Sequence, residues 1–338
     1  MRATFTQDQL DIESTVRGLV ADEKVSARDA LTAPWSPPAC DSTLLGDFTL
    51  LGVPETSGGM GSGLIDLLVA VEALGESLLP SRFPAHAGAV QLLAGAGLEV
   101  PADVLDGTRV LTVALDAPGS TGWSEQEGDR RTLVRHAGQA DAVASLGAGG
   151  VALGRPAEVV ARESFDPSVP MADVTLGPVG EPAARAAGSG ALRATLVVAA
   201  ELSGVAQGAI ALAADYARTR KQFGAPIGSF QAVAFQLAEA VAVRKAAWDL
   251  TLYAAWAVEN GRADALSQVH AAKAAAGKAA IFAAERCIQV HGGMGITMEA
   301  DPHLFLRRAF VLDAVAGRGG WHRRRVGELR LQAHRDRA

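Results

Sequence analysis

Between Gln289 and Arg308 the chain reads QVHGGMGITMEADPHLFLRR, which gathers His291, His303, Glu299, Asp301, an arginine pair and a run of glycines into one short stretch. Imidazole and carboxylate could exchange protons in a catalytic loop. Glycine backbone flanked by cations could instead cradle phosphates, or the glycines could only break two helices. A second stretch, RTRKQFGAPIGSFQ from Arg218 to Gln231, sets Arg218, Arg220, Lys221 and Gln222 at a helix C-terminus, with an aromatic and a Gly-x-Pro turn directly after. A guanidinium placed there can fork onto a diphosphate while the turn brings backbone close to the same group. The plainer reading is that these cations complement a helix dipole.

Other chemistries lack their players. His86, His136, His270, His291, His303, His322 and His334 are scattered, with no HExxH and no carboxylate spaced against a histidine pair, so no metal site is expected. Cys40 and Cys287 sit in no CxxC grouping and read as inert, buried thiols. No serine stands in a GxSxG elbow. SLGAGGVALG, 145–154, is followed by a short apolar run and Pro156 rather than a helix, which makes it a hairpin turn and not a dinucleotide loop. ETSGGMGSG, 55–63, reads as a turn between helices, and HRRRVGELR, 322–330, as a solvated helix face.

The elements that would position these residues follow from composition and period. With 338 residues, 49% of them apolar, the chain can bury a large core or several smaller ones, and its formal charge of −6 argues against a nucleic-acid partner. The N-terminus lacks a basic start followed by an apolar core, so a cytoplasmic location is expected. TLVVAAELSGVAQGAIALAA, 195–214, is apolar enough to suggest a membrane span, but Glu201, Ser203 and Gln207 make a core helix of a soluble protein the expected reading, with no membrane partner. The chain reads as mainly α with a small β domain, an α+β organisation. Residues 1–104 form an N-terminal helical domain. Residues 105–185 form a short β domain with strands near RVLTVAL, RTLVRH, DAVASL and GVALG, and residues 186–338 form a C-terminal antiparallel helical bundle.

Taken together, these pieces resemble the acyl-CoA dehydrogenase family over nearly the whole chain. RTRKQFGAPIGSFQ is similar to the family's Arg-x-x-Phe-Gly signature with its following Phe-Gln, and QVHGGMGITMEADPHLFLRR to its Gln-x-x-Gly-Gly-x-Gly segment. LGVPETSGGMGSG followed by VEALGES matches its N-terminal Pro-Glu and glycine-rich turn. The resemblance implies a helical domain, a β domain and a C-terminal four-helix bundle. It also implies FAD at a subunit interface and an α,β-dehydrogenation of an acyl-CoA thioester, in which a carboxylate removes the α proton and hydride leaves for the flavin. By the same resemblance, Arg220, Gln222, Phe223, Phe230, Gln231, Gln289, Gly292 and Gly293 are the expected cofactor-binding residues, reaching toward the FAD of a neighbouring subunit.

The catalytic positions depart from that pattern. One branch of the family carries its base in a Glu-Gly-Thr turn, and matching that turn gives VAGR with Ala316 in the glutamate's place. The other branch carries it on the first helix of the C-terminal bundle, where this chain has Ala194. No catalytic residue is therefore expected in this chain. The family's Thr-Glu-Pro-x-x-Gly-Ser-Asp turn corresponds to VALDAPGSTG, and its Trp-Ile-Thr strand has no clear counterpart. The pattern is similar to the short, base-less subunit of heteromeric α2β2 acyl-CoA dehydrogenases that act on steroid side-chain CoA esters. That resemblance implies a longer partner subunit bearing the base, an acyl-CoA substrate and an electron-transferring flavoprotein as acceptor. Two other readings stay open: a homomeric acyl-CoA oxidoreductase with a relocated base, Glu201 or Asp313, and a flavin-free structural or regulatory homologue.

Overall fold

The computed structural model describes residues 4–116, 129–147, 150–177 and 188–336. Its first stretch is helical: α1 (Gln7–Ala21), α2 (Asp41–Asp47), α3 (Leu64–Glu76), α4 (Phe83–Gly95) and the single turn α5 (Ala102–Leu105). A capping box starts α1. The Thr6 hydroxyl accepts from the Gln9 N–H, and the Gln9 side chain accepts from the Thr6 N–H, so two donors that a helix start leaves free are satisfied. Helices α3 and α4 are buried on nearly every face, as their almost continuous apolar sequences require.

Strands follow in two small sheets. In the first, β1 (Leu111–Ala114) runs parallel to β3 (Ala142–Gly147), which pairs antiparallel with β4 (Gly150–Gly154). In the second, β6 (Met171–Leu176) lies between β2 (Arg130–Arg135) and β5 (Pro156–Arg162), all antiparallel. The pairing of Gly147 with Gly150 supports the hairpin reading of SLGAGGVALG, although residues 148 and 149 lie outside the described residues. Strand β5 gave a weak signal in the sequence. It begins with proline and is exposed at six of seven positions, so it lacks the inward–outward alternation that marks a half-buried strand.

The C-terminal stretch holds α6 (Gly190–Thr219), α7 (Gln231–Glu259), α8 (Ala265–His291), α9 (Pro302–Ala314) and α10 (Gly319–Arg335). Helices α6 to α9 pack on one another and α10 lies against α8. Alanine sustains these long helices and lets their axes approach. Helix α6 is long and apolar enough to cross a membrane, but 83% of that window is buried inside the protein, as expected of a core helix. Where it crosses α3, Gly204 leaves no room for a side chain: an added Cβ would stand 2.1 Å from the Glu72 carbonyl oxygen. One hydrophobic cluster draws on α4, β1, β3, α6, α8 and α9, and it includes both Ala194 and Ala316.

Candidate functional site

The stretches 218–231 and 289–308 meet at one end of the bundle. Tyr216, in the last turn of α6, stacks on His291, the last residue of α8, with ring centroids 4.1 Å apart. The two helices therefore run parallel with their C-termini side by side, and α7 returns antiparallel beside them. His291 is buried and hydrogen-bonded through Nδ1 to the Cys287 carbonyl at 2.7 Å, which makes it a packing residue rather than an acid or base. Glu299 is exposed.

After Arg220 the expected Gly-x-Pro turn is a two-residue hairpin. Strand β7 (Lys221–Gln222) pairs with β8 (Ala225–Pro226), and Phe223 and Gly224 form the tip. Both tip residues have positive φ, 51° and 80°, the combination a type I′ turn demands. Glycine adopts it freely, whereas phenylalanine is strained there, by about 1 kcal/mol. At the hairpin tip the Phe223 ring stands out in solvent, 95% exposed, edge-on to Phe230 at 6.2 Å between centroids. Phe230 is the N-cap of α7 and Gln231 its first residue, both exposed.

Gln289 is exposed on the last turn of α8, and Gly292 and Gly293 begin a 3-10 turn, 292–296. Gly292 has φ 60° and ψ −137°, backbone that only glycine adopts at little cost. A Cβ built at either glycine would meet nothing within 4 Å, so this backbone is open to an incoming group. Met294, Ile296 and Met298, just beyond, are exposed as well.

Two parallel helix C-termini make this end partly negative, so an anionic group can rest there only with help from cations. Arg218 is tied to Asp215 in an ion pair. Arg220 and Lys221 are exposed, and neither charged group has a partner among the described residues. Arg220, the Gly292–Gly293 backbone, Gln222, Gln289 and the rings of Phe223 and Phe230 are all exposed, and as chemical types they can pair with a diphosphate and an aromatic ring system.

The base positions are the reverse. Ala194 and Ala316 have no solvent exposure, and both methyls lie in the main core. Ala316 has φ 56° and Gly317 φ 95°, forming the turn between α9 and α10. Side chains from three distant elements converge on its backbone. The Asp116 carboxylate accepts from the Ala316 N–H at 2.9 Å. His322 Nε2 donates to the Ala316 carbonyl at 2.9 Å, and Lys273 Nζ donates to the Gly317 and Asp313 carbonyls at 3.0 and 3.1 Å. Behind His322, the two Nδ1 atoms of His322 and His270 are 2.7 Å apart. Burial pushes Asp116 up to about 7 and Lys273 down to about 8. Burial likewise lowers His270 to about 4 and His322 to about 2, so both imidazoles are neutral near pH 7.

Glu201 and Asp313, the alternative base candidates, have the following neighbours. Glu201 is buried and accepts from Arg135 Nη1 at 2.6 Å, with Arg308 Nη1 3.8 Å away, so it serves as counter-ion to two buried arginines. The side chain of Asp313 lies over Gly277, where a Cβ would stand 2.1 Å from its Oδ1. Asp116, Lys273, His270 and His322 carried no signal in the sequence, since each is a lone polar residue joined to its partners only by the fold. No group of three or more histidine, cysteine, aspartate or glutamate residues suited to a metal occurs among the described residues. VALDAPGSTG lies outside the described residues beyond Asp116.

Residues 186–330 match the profile of the acyl-CoA dehydrogenase C-terminal domain. Acyl-CoA dehydrogenase FadE34 of Mycobacterium tuberculosis is 32% identical over 97% of this chain, and the chain spans about half of that relative's length, 49%. Acyl-CoA dehydrogenase IpdE2 of the same organism is 32% identical over 77% of this chain and 76% of its own length. Among solved structures, one in the ChsE4–ChsE5 complex of M. tuberculosis superposes with a TM-score of 0.81 at 25% identity, covering 97% of this chain and 98% of that one. The Tcur3481–Tcur3483 steroid ACAD, as a G363A variant, gives 0.83 at 25% identity, covering 97% and 99%. On these matches the chain belongs to the acyl-CoA dehydrogenase family, whose cofactor is FAD.

Proposed function

We propose that this chain is the subunit without a base in a heteromeric, flavin-dependent acyl-CoA dehydrogenase, an α2β2 assembly in which a longer homologous partner supplies the catalytic carboxylate. One observation carries the reading. Both positions where a base would stand hold core methyl groups, while the residues that would face a shared cofactor remain exposed. Half a cofactor site gains function only against a second surface that completes it.

FAD, when bound, accepts the hydride that leaves the β carbon of the acyl thioester. The work of this chain is placement. Arg220 and Lys221 offset the negative helix ends and hold the diphosphate, and Gly292 and Gly293 let backbone approach it. Gln222, Gln289 and Gln231 offer amides, and Phe223 and Phe230 offer aromatic faces. The protein named as a steroid ACAD among the structural relatives supports a steroid CoA ester as substrate class, and the family resemblance implies an electron-transferring flavoprotein as the acceptor. The assembly named for ChsE4 and ChsE5 supports a partner of the same family.

The test is Arg220→Ala in the complex obtained by co-expression with a longer acyl-CoA dehydrogenase homologue. Losing a charge-assisted contact worth about 1.5–3 kcal/mol weakens FAD retention roughly ten- to hundred-fold with the assembly intact. Unchanged flavin occupancy overturns the reading. A complex that never carries flavin supports the flavin-free homologue instead.

A further inference from the structure

The Ala316–Gly317 turn is a densely hydrogen-bonded feature that the proposed function leaves unused. Every polar backbone group of Ala316 is taken by a side chain: its N–H by Asp116 and its carbonyl by His322. The Gly317 carbonyl is taken by Lys273, which also holds the carbonyl of Asp313 at the end of α9. Asp116 follows β1, Lys273 and His270 lie on α8, and His322 lies on α10, so side chains from three elements are fastened to one turn. The imidazoles can act in one tautomeric order. With Nε2–H of His322 donating to Ala316, its Nδ1 must accept, and His270 must donate from Nδ1. Asp116, Lys273, His270 and His322 are each at most 4% exposed. The turn has no slack, since a Cβ at Gly317 would stand 2.9 Å from His322 Nε2 and 2.9 Å from the Trp321 ring.

We propose that Asp116, Lys273 and His322, ordered by His270, are positioning residues that turn the family's base position into a closed structural joint, which restoring a glutamate does not re-arm. The assignment rests on the reading of Ala316 as a vacated base position. A carboxylate introduced at 316 would be buried beside the Asp116 carboxylate, in backbone already strained by its positive φ, at a position whose methyl has no solvent exposure. Because the joint ties α8 to α9 and α10, it also fixes the helix whose end carries Gln289, Gly292 and Gly293. The side chains that close the turn thereby set the register of the cofactor-facing backbone.

The experiment uses the co-expressed complex with the partner's catalytic carboxylate replaced by its amide, so that background turnover is absent. Ala316→Glu and the double variant Asp116→Asn/Ala316→Glu, which removes the like charge, are assayed for acyl-CoA-dependent flavin bleaching and turnover. Neither is expected to restore either signal, and recovery of turnover in one of them overturns the proposal. In the complex with an intact partner, Asp116→Asn keeps an oxygen that accepts from the Ala316 N–H and is expected to retain flavin content and thermal midpoint, whereas Asp116→Ala lowers both. Equal flavin content and midpoint in Asp116→Ala and the parent complex also overturn it. Failure of the parent reading shows separately, as unchanged flavin on Arg220→Ala whatever the variants at 116 and 316 do.

Discussion

The paired C-termini of α6 and α8 and the turn at Ala316 lie in the same bundle and are built on opposite principles. At the first, strained Phe223, unpaired Arg220 and bare Gly292–Gly293 point outward, and little in this chain satisfies them. At the second, each backbone group that could face a ligand is bonded to a buried side chain. The outward region spends stability to keep groups available, and the inward region spends availability to gain stability. A subunit that catalysed alone would need its open groups around the base position.

Breaking the closed region should cost most. Lys273→Met leaves two carbonyls and the Asp116 charge without their buried cation, which predicts a loss of about 3 kcal/mol in denaturant unfolding of the complex. Arg308→Met is expected to be comparably harmful, because Arg308 is buried among Asp166, Ser168 and the Leu78 carbonyl. The open region should respond the other way: Arg220→Ala shifts stability by less than about 0.5 kcal/mol while flavin is lost. Phe223→Gly relieves the left-handed strain and is expected to raise the chain's own stability by about 0.5–1 kcal/mol while weakening assembly with the partner, read by titration of the two chains. A variant that changes both properties in the same direction would erase the contrast.

The smallest effect is in the pH response of the joint. A histidine whose folded pKa is depressed contributes stability present above its unfolded value and lost as pH falls toward the folded one. His270, at about 4 against an ordinary 6.5, therefore costs stability between those values. Asp116 has the opposite sign. Its raised pKa returns stability as pH falls from about 7 toward 3.8, which offsets part of the loss. His270→Gln is expected to flatten the decline in unfolding free energy between pH 7 and pH 5. An unchanged slope would remove His270 from the account.

What the sequence disclosed divides along the same line. Arg220, Phe223, Gln289 and Gly292 were legible because they sit in short local segments whose order and spacing survive as text. The long helices were legible through their three- and four-residue apolar steps. Asp116 and Ala316 are 200 residues apart, and nothing local to either predicts that one caps the other. Glu201 is a lone carboxylate in the sequence, and only the fold places Arg135 and Arg308 beside it. In the sequence the Gly-x-Pro spacing is the stronger punctuation near Phe223, whereas in the fold the left-handed pair at the tip is what reverses the chain.

The central claim is that this chain completes a flavin site without being able to use one by itself. It is tested most directly by purifying the chain alone, the longer partner alone and the two together, then measuring bound FAD and acyl-CoA dehydrogenation in each. The account predicts flavin and turnover in the co-expressed complex and neither in this chain alone. A yellow, active homo-oligomer of this chain would contradict it.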